Sequence, residues 1–392
     1  MRQSRKKWER RREVHRNKLA AVIFVIMMIA FCVVNLATGD REFSATENRA
    51  LEQRPELTIS GLESGRWMEQ YESYVSDQFA GRDFWVVLKS RVDLLAGKRK
   101  ANGVFKGKDH YLLEDIAKPD EDQLKENLSA MKKFQKQYKD IPMYMMLVPN
   151  AANIESDKLP GYAVTENQEK QFKAIHSTLG SAYTWVDVSD ILKKHRSEEI
   201  YYHTDHHWTT LGAYYGYQAL SKSMKLDTSK TSDMKPYAVT NAFNGTLAST
   251  SGYETGYEEP IYIYAPDNLK NATEAVVNNV NEKKKTATLY DTSKLKGKDK
   301  YALFLGGNYP ILDIKTTADS TDRLLIIKDS YANSLIPFLI PYYREIVVVD
   351  PRYYYDDIEK VMKKDKITSV LFLYNGNTFV KDNSISGVLQ ND

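Results

Sequence analysis

Cysteine is nearly absent from this chain of 392 residues. Cys32 is the only one, and it lies inside an apolar run near the N-terminus. The remainder of the chain therefore cannot form disulfides, and it has neither a cysteine-based metal site nor a cysteine nucleophile. No internal repeat of useful length is present, which excludes a solenoid or array of repeats.

The net positive charge of the chain is confined to its first 18 residues. Residues 1–18 carry nine Lys and Arg against Glu9 and Glu13, a local charge of +7, so the formal total of +3 leaves −4 for the rest. Nucleic-acid binding by the folded part therefore has no electrostatic support. With 42% hydrophobic and 27% charged residues, most of the chain can bury a core, and its length predicts two or three structural units.

An uncharged apolar run follows the basic residues. It extends from Leu19 to Val34 and continues through Asn35 and Leu36. Eighteen helical residues span about 27 Å, close to the hydrocarbon thickness of a bilayer. This predicts a transmembrane helix at 19–37, with a basic cytoplasmic tail at 1–18 and the remainder outside the cell membrane. The alternative is a cleaved signal peptide ending at Ala37-Thr38-Gly39, but the run exceeds a usual signal-peptide core. A disulfide-free surface protein of this size is typical of bacteria.

The body of the chain changes pattern near residue 119. We predict a stem and helical neck at 38–118, because apolar residues recur there at helical spacing from Gly65 to Lys98. From 119 to 392, short apolar runs alternate with helical patterns, which predicts an α/β fold with a parallel sheet and helices on both faces. Residues 232–320 interrupt this alternation and are interpreted as a β-rich insert. The predicted strands are Met143–Val148, Trp185–Val188, Leu324–Ile327, Ile346–Val349 and Val370–Leu373.

The densest polar cluster is His203-Thr204-Asp205-His206-His207-Trp208-Thr209-Thr210. A helical pattern begins just after it, for which Thr209 or Thr210 is a suitable N-cap. In an extended segment, Asp205 and His207 would face one pocket and His206 would face away. A carboxylate beside an imidazole fixes the tautomer of the ring and stabilises its protonated form, as the base of a serine mechanism requires.

Ser330 is the serine best placed to complete such a mechanism. It follows the apolar run Leu324–Ile327 at a polar turn, and reactive groups of parallel α/β sheets collect outside the carboxyl ends of strands. Its backbone N–H is also a candidate oxyanion donor. Taken alone, a serine at this position is more often a helix cap than a nucleophile.

A metal site is the alternative interpretation of the histidine cluster. His203, Asp205 and His207 are suitable zinc ligands, and their spacing alone does not exclude zinc. The sequence has no H-E-x-x-H helix and no remote signature that would complete the site, so the favoured prediction has no metal and no cofactor.

The run Asp205-His206-His207-Trp208-Thr209 resembles the signature of the DHHW protein family. Its Asp-x-His-Trp core is also similar to alginate O-acetyltransferase proteins of the AlgX and AlgJ type, which have SGNH-hydrolase-like, flavodoxin-like folds. The resemblance covers residue 43 to the C-terminus. Further landmarks are Glu47-Asn48-Arg49, Asp77-Gln78-Phe79-Ala80-Gly81-Arg82, Asn102-Gly103-Val104-Phe105-Lys106-Gly107-Lys108, Leu147-Val148-Pro149-Asn150 and Leu305-Gly306-Gly307-Asn308.

This resemblance implies a catalytic triad of Ser330, His207 and Asp205. It also implies a circularly permuted motif order, because the Asp-x-His pair precedes the serine motif. The sequence departs from related enzymes at Lys328, where they often have glycine, and the departure bears on the oxyanion hole. Weaker candidates for substrate binding are Asn308, which a turn alone would also explain, Arg352, for which a surface salt bridge is an equal alternative, and Tyr331.

The implied function is O-acyl transfer, in the family O-acetyl transfer, to a cell-surface or secreted polysaccharide. The resemblance further implies a membrane-bound O-acyltransferase partner that supplies the acyl group. Two alternatives remain open from the residues. One is a surface carbohydrate esterase with the same triad, and the other is a non-catalytic glycan-binding or assembly protein on this fold.

Overall fold

The structure is a computed structural model that describes residues 2–44, 49–268 and 272–390. Glu47 and Asn48 of the first landmark lie outside these residues, as do Met1 of the predicted tail and residues 269–271 of the predicted insert. The chain divides into two compact units, Met1–Lys89 and Ser90–Asp392. The second unit therefore includes part of the segment predicted as the neck.

The first unit begins with one long helix. Within it, Arg12–Ala37 is the one helical stretch, among the described residues, that is long and apolar enough to cross a membrane, and none of its apolar window is buried. The elements of this unit are α1 Arg2–Ala37, β1 Phe43–Ser44, β2 Arg49–Ala50, α2 Ile59–Glu63, α3 Arg66–Asp77 and α4 Arg82–Leu95, the last of which continues into the second unit.

The landmark at the end of α3 holds the stem in place. Asp77 accepts a hydrogen bond from the backbone N–H of Glu52 at 2.9 Å. The Gln78 side chain accepts from the backbone N–H of Arg41 and donates to the carbonyls of Arg41 and Glu52. These bonds satisfy backbone groups that no regular element pairs, which gives the two side chains a structural role.

The second unit contains the α/β domain. Its first elements are β3 Lys100–Ala101, β4 Val104–Lys106, β5 Leu112–Glu114, α5 Glu121–Gln137, β6 Met143–Val148, α6 Ala151–Ile154, α7 Gln168–Leu179, β7 Thr184–Trp185, α8 Ser189–Lys194 and α9 Thr210–Met224. They are followed by β8 Met234–Phe243, α10 Thr246–Ser251, β9 Glu259–Pro266, β10 Ala275–Asn279, β11 Lys284–Thr286 and β12 Ile311–Thr316. The last are β13 Arg323–Lys328, β14 Glu345–Val349, α11 Ile358–Lys364, β15 Ser369–Asn375, α12 Gly376–Lys381 and α13 Ile385–Leu389.

An eight-stranded sheet organises this unit, in the order β11-β10-β12-β14-β13-β15-β6-β7. The five strands from β14 to β7 are parallel, and β12, β10 and β11 extend the sheet in antiparallel orientation. The chain leaves β13 for β14 on one side and then crosses to β15 on the other. This reversal creates the crevice at the carboxyl ends of strands where α/β proteins bind ligands.

The central strands are buried on both faces. In β13, Leu324 and Ile326 belong to one core cluster, whereas Leu325 and Ile327 belong to the other. Residues of α8 and α9 complete the first cluster, and residues of α5, α7 and α11 complete the second. The prediction of a parallel sheet covered on both faces is thus confirmed, and near-continuous apolar runs are typical of such strands.

The predicted β-rich insert consists of two parts. The strands β8 and β9 form a hairpin that is separate from the main sheet, and α10 lies in the connection between them. By contrast, β10, β11 and β12 belong to the main sheet and form its antiparallel edge. The alternation of the sequence indicated strands correctly but did not indicate which sheet they join, because pairing depends on distant partners.

Candidate functional site

The crevice outside β13 contains Ser330. The prediction that this serine follows a strand is confirmed, since β13 ends at Lys328 and a 3₁₀ turn begins at Ser330. Buried Asp329 caps the turn by accepting from the backbone N–H of Tyr331 at 2.9 Å, and its other oxygen accepts from the backbone N–H of Asn375 at 2.9 Å. One aspartate therefore fixes the serine turn to the end of the neighbouring strand β15.

The histidine cluster forms a closed loop rather than an extended segment. Tyr201 and Trp208 pair as an antiparallel bridge, and the backbone N–H of Tyr202 donates to the carbonyl of His207 at 3.3 Å. Thr209 then caps α9 by accepting from the backbone N–H of Gly212, as the sequence predicted. His206 consequently does not face away, because its ring lies 3.9 Å from that of His207.

The loop brings Asp205 and His207 to Ser330. Nε2 of His207 lies 2.7 Å from Oγ of Ser330, and Nδ1 lies 2.5 Å from Oδ1 of Asp205. The same carboxylate oxygen accepts from the backbone N–H of His207 at 3.0 Å. Asp205 and His207 are buried, whereas Ser330 is partly exposed. A carboxylate, an imidazole and a hydroxyl are thus hydrogen-bonded in series, with the hydroxyl at the accessible end.

Residues of the β8–β9 hairpin orient the carboxylate of Asp205. Its second oxygen, Oδ2, accepts from the backbone N–H of Thr246 at 2.8 Å and from the Thr246 hydroxyl at 2.9 Å. Burial acts to raise the pKa of Asp205, but the charges of His207 and His206 and these hydrogen bonds outweigh burial and hold the pKa well below its usual range. The carboxylate is therefore ionised at neutral pH.

Gly245 lets the hairpin approach this closely. A Cβ at that position would lie 2.3 Å from Cβ of Asp205, far inside van der Waals contact. The backbone N–H of Gly245 also donates to Thr204 at 2.8 Å. Thr204 and His203 in turn bind the buried carboxylate of Glu259, which accepts from both of their backbone N–H groups. Both sides of the hairpin therefore support the loop that carries Asp205.

Aromatic rings surround the imidazole. The Tyr301 ring stacks on His207 at 3.7 Å and 10°, and Tyr331 lies at 5.2 Å. The indole N–H of Trp208 donates to the carbonyl of Tyr331 at 3.0 Å and to the hydroxyl of Ser334 at 3.1 Å. The tryptophan of the DHHW signature thereby joins the histidine loop to the serine turn.

The proposed zinc ligands are not brought together as a set. His203 is stacked between Tyr111 and Tyr257, and its Nε2 lies 2.7 Å from Glu199. Within the described residues, the group with potential metal-ligating geometry is Asp205, His206 and His207. Both ring nitrogens of His207 contact protein partners, so a metal there would have to displace Asp205 or Ser330.

The weaker candidates for substrate binding lie around the serine turn. Oδ1 of Asn308 accepts from the Lys328 ammonium at 2.8 Å and from the Asn333 amide at 3.2 Å. Arg352 makes a bidentate ion pair with buried Asp350, at 2.8 and 2.7 Å. Tyr331 is buried, and its hydroxyl donates to the carbonyl of His206. Tyr331 is thus internal, whereas Asn308 and Arg352 are both partly exposed.

Sequence reasoning missed the residues that orient the site. Thr246, Gly245, Glu259 and Tyr301 all come from the segment interpreted as an insert. Asn244-Gly245-Thr246 has turn composition, which predicts a loop but not the residue it meets. Nothing in the sequence around Tyr301 indicates that its ring contacts His207.

The structure thus has an α/β fold with an aspartate, a histidine and a serine hydrogen-bonded in series at the carboxyl edge of its parallel strands. The profile of the DHHW protein family matches residues 126–349, more than half of the chain. The chain therefore belongs to the DHHW family.

Solved structures resemble the chain at low sequence identity. A DHHW family protein from Eubacterium siraeum is 24% identical with a TM-score of 0.61, and it covers 75% of this chain and 96% of its own. The structure of PatB1 from Bacillus cereus with a sulfonyl adduct is 22% identical with a TM-score of 0.59. The match covers 71% of this chain and 96% of the PatB1 chain. The O-acetyltransferase domain of Pseudomonas putida AlgJ is 14% identical with a TM-score of 0.47, and the match covers 72% of this chain and 94% of the AlgJ chain. A comparison with curated protein sequences gave no match.

Proposed function

We propose that this protein is an extracytoplasmic serine O-acyltransferase that transfers an acyl group, in particular acetyl, to a cell-surface polysaccharide through an acyl-Ser330 intermediate. The hydrogen-bonded series Asp205–His207–Ser330 is the observation that carries the proposal. Its order and distances suit a base that removes the hydroxyl proton while a carboxylate holds the ring.

The reaction has two half-reactions. In the first, Oγ of Ser330 attacks the acyl carbonyl of the donor while Nε2 of His207 takes the hydroxyl proton and passes it to the leaving group. In the second, a sugar hydroxyl gives its proton to Nε2 and attacks the acyl-serine carbonyl. Oγ of Ser330 leaves and recovers the proton, so the enzyme returns to its starting state.

Developing negative charge on the carbonyl oxygen requires hydrogen-bond donors. The backbone N–H of Ser330 and the side-chain NH₂ of Asn308 are our candidates. Asn308 is partly exposed, and its amide oxygen is bonded to residues on both sides of Ser330 along the chain. Two such donors would stabilise the oxyanion before it forms, without reorganisation during the reaction.

The N-terminal helix supports the proposed location at the cell membrane. Basic residues precede its apolar part, so we place residues 1–18 in the cytoplasm and the α/β domain outside. An external enzyme has no direct access to cytoplasmic acyl donors. We therefore include a membrane-bound O-acyltransferase as the partner that exports the acyl group.

Mass spectrometry of the full-length protein in detergent tests the proposal. After incubation with p-nitrophenyl acetate, we expect an acetyl adduct on Ser330 that is absent from Ser330→Ala and His207→Ala. Turnover that persists in Ser330→Ala would reject the serine mechanism and favour a metal at Asp205, His206 and His207, which chelator inhibition would then reveal.

The acceptor is tested separately. We expect acetyl transfer from the labelled enzyme to purified surface polysaccharide to exceed hydrolysis in water. Hydrolysis alone, with no transfer to glycan, would instead favour the esterase. A Ser330→Ala strain with undiminished polysaccharide O-acetylation would favour the non-catalytic role.

A further inference from the structure

Lys328 is buried directly before the serine turn, and the catalytic steps above make no use of it. Only 1% of the residue is exposed. Burying an ammonium group costs solvation free energy, so its partners must compensate for that loss. Burial accordingly lowers the pKa of Lys328, although nearby Asp350 acts against this effect.

The distances identify the main partner of the ammonium. Nζ of Lys328 lies 2.8 Å from Oδ1 of Asn308 but 3.5 Å from Oδ2 of Asp350. Asp350 is already bound bidentately by Arg352 at shorter distances. Neutralising Asp350 therefore does not account for Lys328, whereas the contact with Asn308 has the length of a good hydrogen bond.

The chemistry of the donors then decides the orientation of the Asn308 amide. An ammonium group has only donors, so the end of the amide that faces Lys328 must be the oxygen. The NH₂ group of Asn333 donates to the same oxygen at 3.2 Å. With two donors on Oδ1, the Nδ2 end of Asn308 must point away from Lys328 and Asn333.

The backbone of the turn brings Asn308 to this place. Leu305, Gly306 and Gly307 have φ values of 61°, 81° and 118°, and the last is open only to glycine. The turn fixes the position of Asn308, but a side-chain amide can still rotate by 180° at little cost. A specific partner is needed to select one orientation.

We propose that Lys328 is a positioning residue, which holds Oδ1 of Asn308 so that the NH₂ group of that amide is presented to the oxyanion beside Ser330. This inference rests on the proposed function, in which Asn308 is an oxyanion donor. It also gives a role to the residue where the sequence departs from related enzymes.

A double-mutant cycle tests the coupling. The readout is the rate of Ser330 acetylation by p-nitrophenyl acetate in the full-length protein, with kcat and KM measured separately. We expect Asn308→Ala to lower kcat by about 10²-fold or more, the usual loss of one oxyanion donor. Lys328→Met should lower kcat by about 10-fold with little change in KM, because the interaction forms only in the transition state. In the Asn308→Ala background, Lys328→Met should have no further effect.

Lys298 provides a matched control. Its Nζ also donates to an asparagine oxygen at 2.8 Å, that of Asn244, and it is partly buried in the same unit. Whatever Lys298→Met does to the rate, its effect should be the same with and without Asn308. Lys328→Arg, which retains donors, should recover part of the loss.

The outcomes separate the inference from the function. The positioning role is rejected, and the function stands, if wild-type Ser330 is acetylated but Lys328→Met does not change kcat. The same holds if Lys328→Met lowers kcat by the same factor with and without Asn308. If wild-type Ser330 is not acetylated, the proposed function fails, and the oxyanion role of Asn308 fails with it. Should Lys328→Met not fold, Asn333→Ala removes the other donor to Oδ1, and its loss of rate should likewise vanish in Asn308→Ala.

Discussion

The contact between Gly245 and Asp205 predicts that Gly245→Ala inactivates the site. The backbone of Gly245 has φ −86° and ψ −169°, which alanine adopts without strain, so the added methyl group is the only perturbation. That carbon would lie 2.3 Å from Cβ and 2.5 Å from Oδ2 of Asp205. Since carbon atoms pack at about 3.5 Å, the carboxylate or the hairpin must move by about 1 Å.

Such a shift separates the carboxylate from an imidazole that it now contacts at 2.5 Å. A displacement of about 1 Å in a positioned group can lower the rate about 10²-fold, and overpacking costs about 1–3 kcal/mol of stability. We therefore expect Gly245→Ala to remain folded and to acetylate Ser330 about 10²-fold more slowly.

Gly297→Ala is the matched control for this prediction. It lies in the same segment with a comparable backbone conformation, and its added Cβ would meet nothing closer than 3.5 Å. The assay is acetylation by p-nitrophenyl acetate, with melting temperature as the measure of folding. A Gly245→Ala protein as active as Gly297→Ala would refute the argument that the hairpin sets the position of Asp205.

Three further changes test other parts of the structure. Asp205→Asn should slow acetylation by about 10⁴-fold. The pKa of Asp205 is depressed in the folded state, so its ionised form stabilises the fold. In urea unfolding, the wild type should therefore be more stable than Asp205→Asn at pH 6, and this difference should shrink as the pH falls below about 4. Trp208→Phe removes the donor to Tyr331 and Ser334 and should cost about 1–3 kcal/mol in chemical denaturation, so a neutral result would contradict the bridging role. Burial raises the pKa of Glu155 to about 7, so its stabilising protonated form is lost as pH rises through 7, and Glu155→Gln should raise the melting temperature at pH 8 but not at pH 5.

The three residues of the proposed mechanism could be predicted as candidates because their sequence signals are local. Asp205 and His207 are two positions apart, and Ser330 follows an apolar run that ends at a polar turn. Strand β13 is buried on both faces, so its sequence is a continuous apolar run that can be recognised without knowledge of its partners. Hydrophobic pattern and motif therefore located both halves of the site.

The supporting residues were not predictable, since their contacts join distant parts of the chain. Thr246 binds Asp205 across 41 positions, and Glu259 binds Thr204 across 55. The conformation of the histidine loop was wrongly predicted as extended for the same reason, because residues outside the motif close it. Lys328 is a related case, since a charged residue at the end of a buried strand is unfavourable until its partners are known.

The surroundings of His207 place a constraint on the proposed mechanism. The rings of Tyr301 and His206 lie 3.7 and 3.9 Å from the imidazole, and two rings so close must cover opposite faces. Asp205 contacts Nδ1, so Nε2, which contacts Ser330, is the ring nitrogen left for proton transfer. In the proposed mechanism, acyl donor and acceptor hydroxyl then reach the opening beside Ser330 one after the other, which predicts ping-pong kinetics. Water can enter by that opening too, so the balance between transfer and hydrolysis depends on how completely the bound polysaccharide excludes water from Ser330.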